Sequence, residues 1–232
     1  MQKSETNIME LTDKTIQVLK NYASINPNIV LTEGNVIKTL SEAKNVLSAA
    51  ELDVNFPKTV GIYDLGEFLS VVSLLDNPRL TFNDDFVMIG DGSGRSRIKY
   101  FYSDPSILTT PSKDITMPPA DVSFTLDRET LNRVKRAASV LGHSEMSVTA
   151  NEGILSISVI DHSDKTSNVF SIDVDGHFDV ENFTFIFNIS NLKLVDGDYK
   201  VSVSSKLISH FENLETGLQY WIALEKSSTY GE

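Results

Sequence analysis

Two stretches, LTDKTIQVLKNYASI (11–25) and LDRETLNRVKRAASVL (126–141), decide how this chain is interpreted, because both have the spacing of an amphipathic helix. Thr12 and Asp127 are suitable N-caps for them. The apolar face of the first is formed by Ile16, Leu19 and Ala23. The apolar face of the second is formed by Leu131, Val134, Ala138 and Leu141. Each half of the chain therefore contains a helix of similar design.

The similarity between the halves extends beyond these helices. At an offset of 115 residues the two stretches share Thr15/Thr130, Ile16/Leu131, Lys20/Lys135, Ala23/Ala138 and Ser24/Ser139. A tight Glu-Gly turn follows each helix, and further along each half a strand runs into a second, short helix, at 59–75 and at 183–194. The order helix, strands, helix, strands thus occurs twice. This pattern indicates an internal duplication.

The segments between the helices are typical of antiparallel strands. They alternate polar with apolar residues, are rich in β-branched and aromatic side chains, and are separated by glycine-containing turns. The strand-like runs are 28–32, 35–40, 86–90, 97–102, 154–160, 168–174, 183–189, 199–205 and 218–225. The chain is therefore predicted to be an α+β protein, mostly β with a few helices.

A proline-rich stretch, SDPSILTTPSKDITMPPAD (103–121), separates the two halves and shows no periodicity. Such a composition is typical of a semi-rigid connector. We therefore predict an N-terminal domain over 1–103, a connector over 104–121 and a C-terminal domain over 122–232.

Bulk properties limit the possible functions. A net charge of −12 argues against a protein that coats nucleic acid generally, so any basic residues that meet DNA must be concentrated on one surface. The chain has no cysteine, no apolar run long enough to span a bilayer and no apolar segment near its start. We expect a protein that stays inside the cell that makes it.

The stretch GDGSGRSR (90–97) suggests a phosphate-binding loop, but its pattern fails the test. Arg95 occupies the third glycine position of a dinucleotide fingerprint, and a strand rather than a helix follows. Glycine, aspartate and serine between two strands are typical of a hairpin. We predict a turn here.

No pattern in the sequence predicts an enzyme. Asp161, His162, Ser163 and Asp164 have the residue types of a hydrolase triad, but immediate neighbours in a polar loop cannot converge in that geometry. The four histidines lack the spacing of metal ligands, and Asp84-Asp85 lies beside a turn. We expect no catalytic residue, no metal site and no cofactor.

The cations of the two repeated helices are the stronger signal. At about 100° per residue, Arg133 and Arg136 fall opposite the apolar face of the second helix, with Arg128 and Lys135 on its flanks. On the first helix, Lys14 falls opposite the apolar face and Lys20 on its flank. A solvated helix face would show the same pattern for one helix. Two related helices with cations at related places favour a shared surface that contacts phosphates.

At this point the sequence resembles a known family, the sliding clamps (DNA polymerase processivity factors) of T4-type bacteriophages. The resemblance covers nearly the whole chain and lies in LKNYASIN (19–26), GIYDLGEFLSVVSLL (61–75), the R-S-x-I run at 95–98 with DPS at 104–106, NEG (151–153) and FIFNISNLKLVDGDYK (185–200). It implies the DNA clamp fold, with two similar domains that each have antiparallel sheets outside and two helices lining the inner face. It also implies a head-to-tail homotrimer, a closed ring around duplex DNA that holds DNA without reading its sequence.

The resemblance assigns residues by position. The DNA-facing candidates are Lys14, Lys20, Arg128, Arg133, Lys135, Arg136 and, in the short fourth helix, Lys193. The second helix, 64–75, has no lysine or arginine, which departs from the pattern. The subunit contact would pair the strand 96–102 with the strand 167–174 of a neighbour. Its candidate residues are Arg97, Lys99, Tyr100, Phe170 and Asp173.

The family also implies partners: the replicative DNA polymerase, an ATP-driven clamp loader, and a late-transcription sigma-like factor with its coactivator. Peptides from such partners would dock near the connector, where Ile107, Leu108 and Met117 are apolar. These three residues could equally pack onto their own sheets. The place of action would be the cytoplasm of the infected bacterial host. The main alternative is a β-rich oligomeric structural or interaction protein of a phage particle, whose basic helix faces are only solvated.

Overall fold

The computed structural model describes residues 8–111, 115–164 and 166–231. The chain divides into two compact units, Met1–Ser112 and Lys113–Glu232. This division falls inside the predicted connector 104–121, of which residues 112–114 lie outside the described residues. The exact domain bounds stay a prediction. In the described part of the chain, no helix is long and apolar enough to cross a membrane.

The first unit contains eight strands, two α-helices and one 3₁₀ turn among its described residues. In chain order these are β1 (Ile8–Glu10), α1 (Asp13–Ile25), β2 (Ile29–Leu31), β3 (Gly34–Leu40), β4 (Val46–Phe56), β5 (Val60–Ile62), α2 (Leu65–Val72), β6 (Arg79–Phe82), β7 (Phe86–Gly90), β8 (Arg97–Phe101) and the 3₁₀ turn Pro105–Ile107.

The first two described elements of the second unit are a strand and a long helix, as in the first unit. Its elements are β9 (Val122–Leu126), α3 (Arg128–Leu141), β10 (Glu145–Asn151), β11 (Ile154–Ile160), β12 (Phe170–Val174), β13 (Gly176–Phe178), β14 (Phe183–Asn188), the 3₁₀ turn Ile189–Asn191, β15 (Tyr199–Ser204), β16 (Ile208–Asn213), β17 (Gln219–Ala223) and β18 (Thr229–Tyr230).

The sheets within each unit are antiparallel, as the alternating sequence predicted. In the first unit four strands pair in the order β1-β6-β7-β8, β3 forms a hairpin with β4, and β2 pairs with β5. In the second unit one set pairs in the order β12-β11-β10-β14-β18 and another in the order β13-β9-β15-β16-β17. Strands β8 and β12 therefore each lie at the end of a sheet.

Helices α1 and α2 pack against each other, and α1 also packs on β3 and β4. Tyr22 of α1 is fully buried, and its hydroxyl accepts a 3.0 Å hydrogen bond from Ser48 of β4. In the second unit, helix α3 packs on β11 and β12. The core there includes Tyr199, Phe211 and Tyr220, whose rings meet edge to face. Each unit thus buries one face of its long helix against its own strands.

The fourth helix is shorter than the repeat suggested. Asn188 caps only one 3₁₀ turn, Ile189–Asn191, by accepting a 3.0 Å hydrogen bond from the backbone of Ser190. Leu192, Leu194 and Val195 are all buried in the irregular segment that follows, which places apolar side chains inward without helical spacing. The described residues therefore contain three α-helices, and Lys193 lies after the turn rather than on a helix.

The glycine-rich stretch 90–97 is a hairpin turn between β7 and β8, as predicted. The Asp91 carboxylate accepts hydrogen bonds from the backbone N–H groups of Arg95 (3.1 Å) and Ser96 (3.2 Å) and from the Ser93 hydroxyl (2.9 Å). The Ser93 bond is the main reason that the pKa of Asp91 is lowered. The amides that could have held a phosphate are thus occupied by the chain's own carboxylate.

Candidate nucleic-acid interface

Helix α3 is fixed at both ends by its capping residues. The Asp127 side chain accepts a 2.7 Å hydrogen bond from the backbone N–H of Thr130, and Gly142 ends the helix with a φ of 72°. Its buried stripe is Thr130, Leu131, Val134 and Ala138. Three of the four predicted core positions are confirmed, while Leu141 is only half-buried.

The cations of α3 differ in what they face. Measured from the centre of the buried stripe at about 100° per residue, Arg136 lies about 175° away and is fully outward. Arg133 lies about 115° away, so it is on a flank rather than opposite the core as expected. Its guanidinium carbon is 5.9 Å from the centroid of the Phe170 ring in β12, a cation–π contact. Arg136 is thus the cation on this helix that points most directly outward.

Arg128 and Lys135 lie on the other flank and are partly engaged within the unit. Arg128 Nε is 3.3 Å from an Asp196 carboxylate oxygen, and one terminal nitrogen is 3.8 Å from Glu215. Lys135 is half-buried, which lowers its pKa, although nearby Asp196 opposes that shift. Both residues are therefore weaker candidates for phosphate contact than the sequence indicated. Asp196 and Glu215 were not predicted, because nothing near Arg128 in the sequence signals them.

The cations of α1 exchange roles relative to the prediction. Thr12 caps the helix, accepting a 3.1 Å hydrogen bond from Thr15 N–H. The buried stripe is Thr15, Val18, Leu19, Tyr22 and Ile25. From its centre Lys20 lies about 165° away and Lys14 only about 75° away. Lys20, exposed and outward, therefore replaces Lys14 as the main candidate of this helix.

Lys14 also has a neighbour of opposite charge. The Asp53 carboxylate accepts hydrogen bonds from the hydroxyls of Thr12 (2.8 Å) and Thr15 (2.9 Å), at the start of the same helix. The Thr12 bond is the largest cause of the lowered pKa of Asp53, and the charge of Lys14 adds to it. Lys14 thus compensates a local anion. Lys193, the remaining candidate, is exposed.

Helix α2 carries no cation, as its sequence shows. Asp64 caps it by accepting a 2.8 Å hydrogen bond from the backbone of Glu67, which is exposed in the first turn. The Tyr100 hydroxyl lies 3.2 Å from the Asp64 carbonyl oxygen and 3.3 Å from a Glu67 carboxylate oxygen. Burial is the main reason that the pKa of Tyr100 rises to about 12. Helix α2 thus carries exposed anions, whereas the two longer helices α1 and α3 carry exposed cations.

The predicted subunit edges correspond to β8 and β12. In β8 the exposed side chains are Arg97, Lys99 and Phe101. The ammonium of Lys99 lies 3.9 Å from the Phe86 ring centroid and 4.6 Å from that of Phe101. The Tyr100 ring instead packs on Phe68 of α2, 5.3 Å between centroids, so its side chain is committed to its own unit.

In β12 the side chains alternate in the same way. Ser171 and Asp173 are exposed, and Phe170 is half-buried beneath Arg133. The Asp173 carboxylate accepts a 2.7 Å hydrogen bond from the Ser156 hydroxyl of β11. An exposed anion is therefore held in place on this edge, while the edge of the first unit carries exposed cations.

The residues predicted for a partner-peptide pocket have different environments. Ile107 is 68% exposed, whereas Leu108 is 7% exposed and packs in the first unit next to Gly61. A Cβ added at Gly61 would lie 2.9 Å from a Leu108 methyl carbon, which shows how close that contact is. Met117, in the second unit, is half-buried. Leu108 is thus a core residue, and Ile107 is the accessible apolar side chain of the connector segment in the first unit.

The polar cluster at 161–164 has no catalytic geometry. The Ser163 hydroxyl donates to Asp161 (2.6 Å), while His162 Nδ1 lies 3.1 Å from Glu145. Hydrogen bonds from Ser163 lower the pKa of Asp161, as expected for a carboxylate that closes a turn. Within the described ranges, no group of three or more acidic or histidine side chains could hold a metal ion.

Comparisons with known proteins bear on the fold and the family of this chain. Residues 11–106 match the family model described as DNA polymerase processivity factor, and residues 123–226 match the one described as gp45 sliding clamp, C terminal. Among solved structures, the fold is similar to PCNA from Thermococcus kodakaraensis (TM-score 0.69, 15% identity, 94% of this chain and 98% of that one). It is also similar to A. fulgidus PCNA bound to the C-terminal region of FEN-1 (TM-score 0.70, 15% identity, 96% and 98%).

The clamp fold and the two family models, which together match most of the chain, define a DNA polymerase processivity factor. The sliding clamp of Vibrio phage KVP40 is 36% identical over 223 residues, covering 94% of this chain and 99% of the relative. The sliding clamp of Enterobacteria phage T4 is 31% identical over 229 residues, covering 96% and 99%. The chain belongs to the family of T4-type phage sliding clamps, which are DNA polymerase processivity factors and not enzymes. The alternative of a structural protein of the phage particle is set aside.

Proposed function

We propose that three copies of this chain join head to tail into a closed ring that surrounds duplex DNA and tethers the replicative polymerase. The observation that carries the DNA-binding part is the outward position of Lys20 on α1 and Arg136 on α3, each opposite a buried stripe, in a protein of net charge −12. Such cations hold phosphates without reading bases, which suits a protein that must move along DNA. Arg133, Arg128, Lys135, Lys14 and Lys193 are secondary members of this surface.

The proposed head-to-tail assembly uses the sheet ends of the two units. An unpaired edge strand exposes backbone donors and acceptors that favour pairing with another strand. Strand β8 carries exposed cations and β12 an exposed anion, so the two edges of different copies complement each other. Tyr100 and Phe170 would lie beside the joint and contribute apolar area.

We also propose that the ring is loaded by an ATP-driven clamp loader in the cytoplasm of the infected host and that it serves as a late-transcription coactivator. Partner peptides would dock at the connector through Ile107, whose exposed side chain supports this role. A. fulgidus PCNA, which has a similar fold, is known with the C-terminal region of FEN-1 bound, and this supports the docking of partner peptides on such a fold.

The assembly is tested by sedimentation equilibrium and electron microscopy of the purified chain. The expected result is a species of three times 25.7 kDa that appears as a ring with six lobes, two from each copy. A protein that remains monomeric at micromolar concentration, or that forms open filaments, contradicts the proposal. Primer extension with the phage polymerase and loader then measures processivity, which the chain is expected to increase.

A further inference from the structure

The two edge strands show the same division into faces. On β8, Ile98 and Tyr100 are half-buried on the side of α2, and the exposed residues lie on the opposite side. On β12, Phe170, Ile172 and Val174 are half-buried, on the side of α3, while Ser171 and Asp173 are exposed. Each edge therefore has a helix side and an outer side.

This alternation restricts how the two strands can pair. Residues directly opposite each other in an antiparallel pair lie on the same face of the sheet, so a helix-side residue of one strand must stand opposite a helix-side residue of the other. A slip by one residue would place Ile98 opposite Asp173 and turn every side chain to the wrong face. Only registers that differ from one another by an even number of residues remain.

Charge distinguishes the registers that remain. We propose that, where β8 of one copy meets β12 of the next, Lys99 stands opposite Asp173 and Arg97 opposite Asp175. The helix side then matches Tyr100 with Ile172 and Ile98 with Val174. This inference rests on the proposed head-to-tail assembly and specifies its contact residue by residue.

The registers shifted by two residues satisfy fewer groups. One places Lys99 opposite Asp175 but Phe101 opposite Asp173, and Arg97 would face His177, which belongs to β13. The other places Arg97 opposite Asp173 but Lys99 opposite Ser171, so Lys99 loses its carboxylate partner. Asp175, which directly follows β12, would then face Arg95, which lies two residues before β8 in the turn closed by Asp91. Opposite charges facing each other stabilise a strand pair, so the register with two such pairs is preferred.

In the proposed register, the Arg97 side chain would lie at a cavity of the neighbour's second unit. A cavity of about 290 Å³ lies at the end of β12, lined by Asp173, Asp175, Gly153, Ile154 and Gly176 among others. The backbone there is closely packed, because a Cβ added at Gly176 would come within 2.7 Å of the Ser123 carbonyl oxygen. A guanidinium, with its planar set of donors, is suited to a site bordered by two carboxylates.

Among the described residues of the first unit, no carboxylate competes for the cations of β8. In the residues that the structure describes, neither Arg97 nor Lys99 forms an ion pair. Lys99 contacts only aromatic faces through its charge, and Asp173 is held by Ser156. Both partners are thus positioned before they meet, which reduces the entropy lost on association.

Cysteine cross-linking tests the register directly, because the natural chain has no cysteine. The test variant is Lys99→Cys with Asp173→Cys, and the matched control is Arg97→Cys with Asp173→Cys. Positions 97 and 99 lie on the same face. The Ser96 carbonyl accepts from the Asp91 N–H, and the Tyr102 N–H donates to the Asp85 carbonyl, so the even-numbered positions bond to the β7 side. The odd-numbered positions 97 and 99 therefore direct their backbone groups to the open edge of β8. The two pairs therefore differ only in register.

Under mild oxidation the test variant is expected to form covalent dimers and trimers at least about ten times faster than the control. Directly opposite Cβ atoms are about 5 Å apart and diagonal residues roughly 7–8 Å apart, while a disulfide needs Cα atoms within about 7 Å. Faster cross-linking of the control, or a disulfide confined to the monomer, overturns the proposed register. Sedimentation of the natural chain distinguishes failure of the assembly from failure of the register. A monomer refutes the assembly itself, whereas a trimer in which the control variant cross-links faster refutes only the register.

A charge exchange keeps the test decisive if the cysteine variants fail to assemble. Lys99→Glu alone and Asp173→Lys alone should each raise the concentration needed for trimer formation at least about tenfold, through like-charge contacts. The combined variant should return to within about threefold of the natural chain. Restoration by Arg97→Glu with Asp173→Lys, and not by the Lys99 combination, overturns the proposal.

Discussion

The exchange of roles between Lys14 and Lys20 can be measured. Lys20 points away from the buried stripe of α1, while Lys14 lies on a flank beside Asp53. Lys20→Gln should therefore remove a phosphate contact, and Lys14→Gln should remove little. Glutamine is uncharged, one atom shorter than lysine and similar to it in helix propensity, and the same substitution at both positions makes the loss of charge comparable.

The expected magnitude follows from counterion release. Each phosphate contact contributes about 0.9 to the slope of log affinity against log salt concentration, and a trimer carries three copies of the substitution. Lys20→Gln is thus expected to lower the slope by up to about 2.7, and Lys14→Gln by less than about 0.9. With a slope difference of 2.7, the ratio of natural to variant affinity falls by about 40-fold when the salt concentration is raised fourfold.

The assay is fluorescence anisotropy of a short labelled duplex with free ends, so that the protein can thread onto it without a loader. Sedimentation and thermal denaturation of both variants serve as controls for assembly and folding. Equal slopes for the two variants, or a larger loss for Lys14→Gln, would refute the placement of Lys20 on the DNA-facing side.

Three further predictions concern stability and pH. Arg128→Ala should lower the free energy of unfolding by less than about 1 kcal/mol, because its pairs with Asp196 and Glu215 are exposed. It should lower the salt slope of DNA binding less than Lys20→Gln does, because its guanidinium is already shared with those two carboxylates; an equal loss of slope contradicts this. Leu108→Ala should cost about 2–4 kcal/mol in urea denaturation, against about 0.5 kcal/mol or less for exposed Ile107→Ala, and similar costs for both would be evidence against the core position of Leu108. The free energy of unfolding should fall as pH rises from 10 towards about 12, because the folded state raises the pKa of Tyr100 from 10.0 to about 12 and so favours its neutral form. Tyr100→Phe should make that fall smaller, and an identical pH profile for the variant would contradict the assignment.

The sequence predicted the architecture because the architecture depends on repeated patterns. The capping residues Thr12 and Asp127, and three of the four core positions of α3, follow from helical spacing and local chemistry. The turn at 90–97 was equally predictable, since glycine and aspartate between two strands favour a hairpin. Local rules of this kind do not depend on distant parts of the chain.

The details of the site depend on contacts that spacing does not encode. Helical spacing alone predicted the wrong buried face for α1, because Thr15 and Tyr22 are buried. Thr15 hydrogen-bonds to Asp53, and Tyr22 hydrogen-bonds to Ser48, both in β4. Those partners lie 38 and 26 residues away in the chain. The ion pairs of Arg128 involve Asp196 and Glu215, which are still more distant. The direction of a cation therefore required the folded structure.

A protein that holds DNA by surrounding it stays bound only while the DNA has no free end, so retention should depend on DNA topology. The clamp is loaded onto a nicked circular plasmid, free protein is removed by gel filtration, and the plasmid is then cut at one site. The clamp is expected to stay with the circle at moderate salt and to be released within minutes of linearisation, while blocking both ends of the linear DNA with bulky protein should prevent that release. Equal retention on circular and open linear DNA, or equal loss from both, would contradict it.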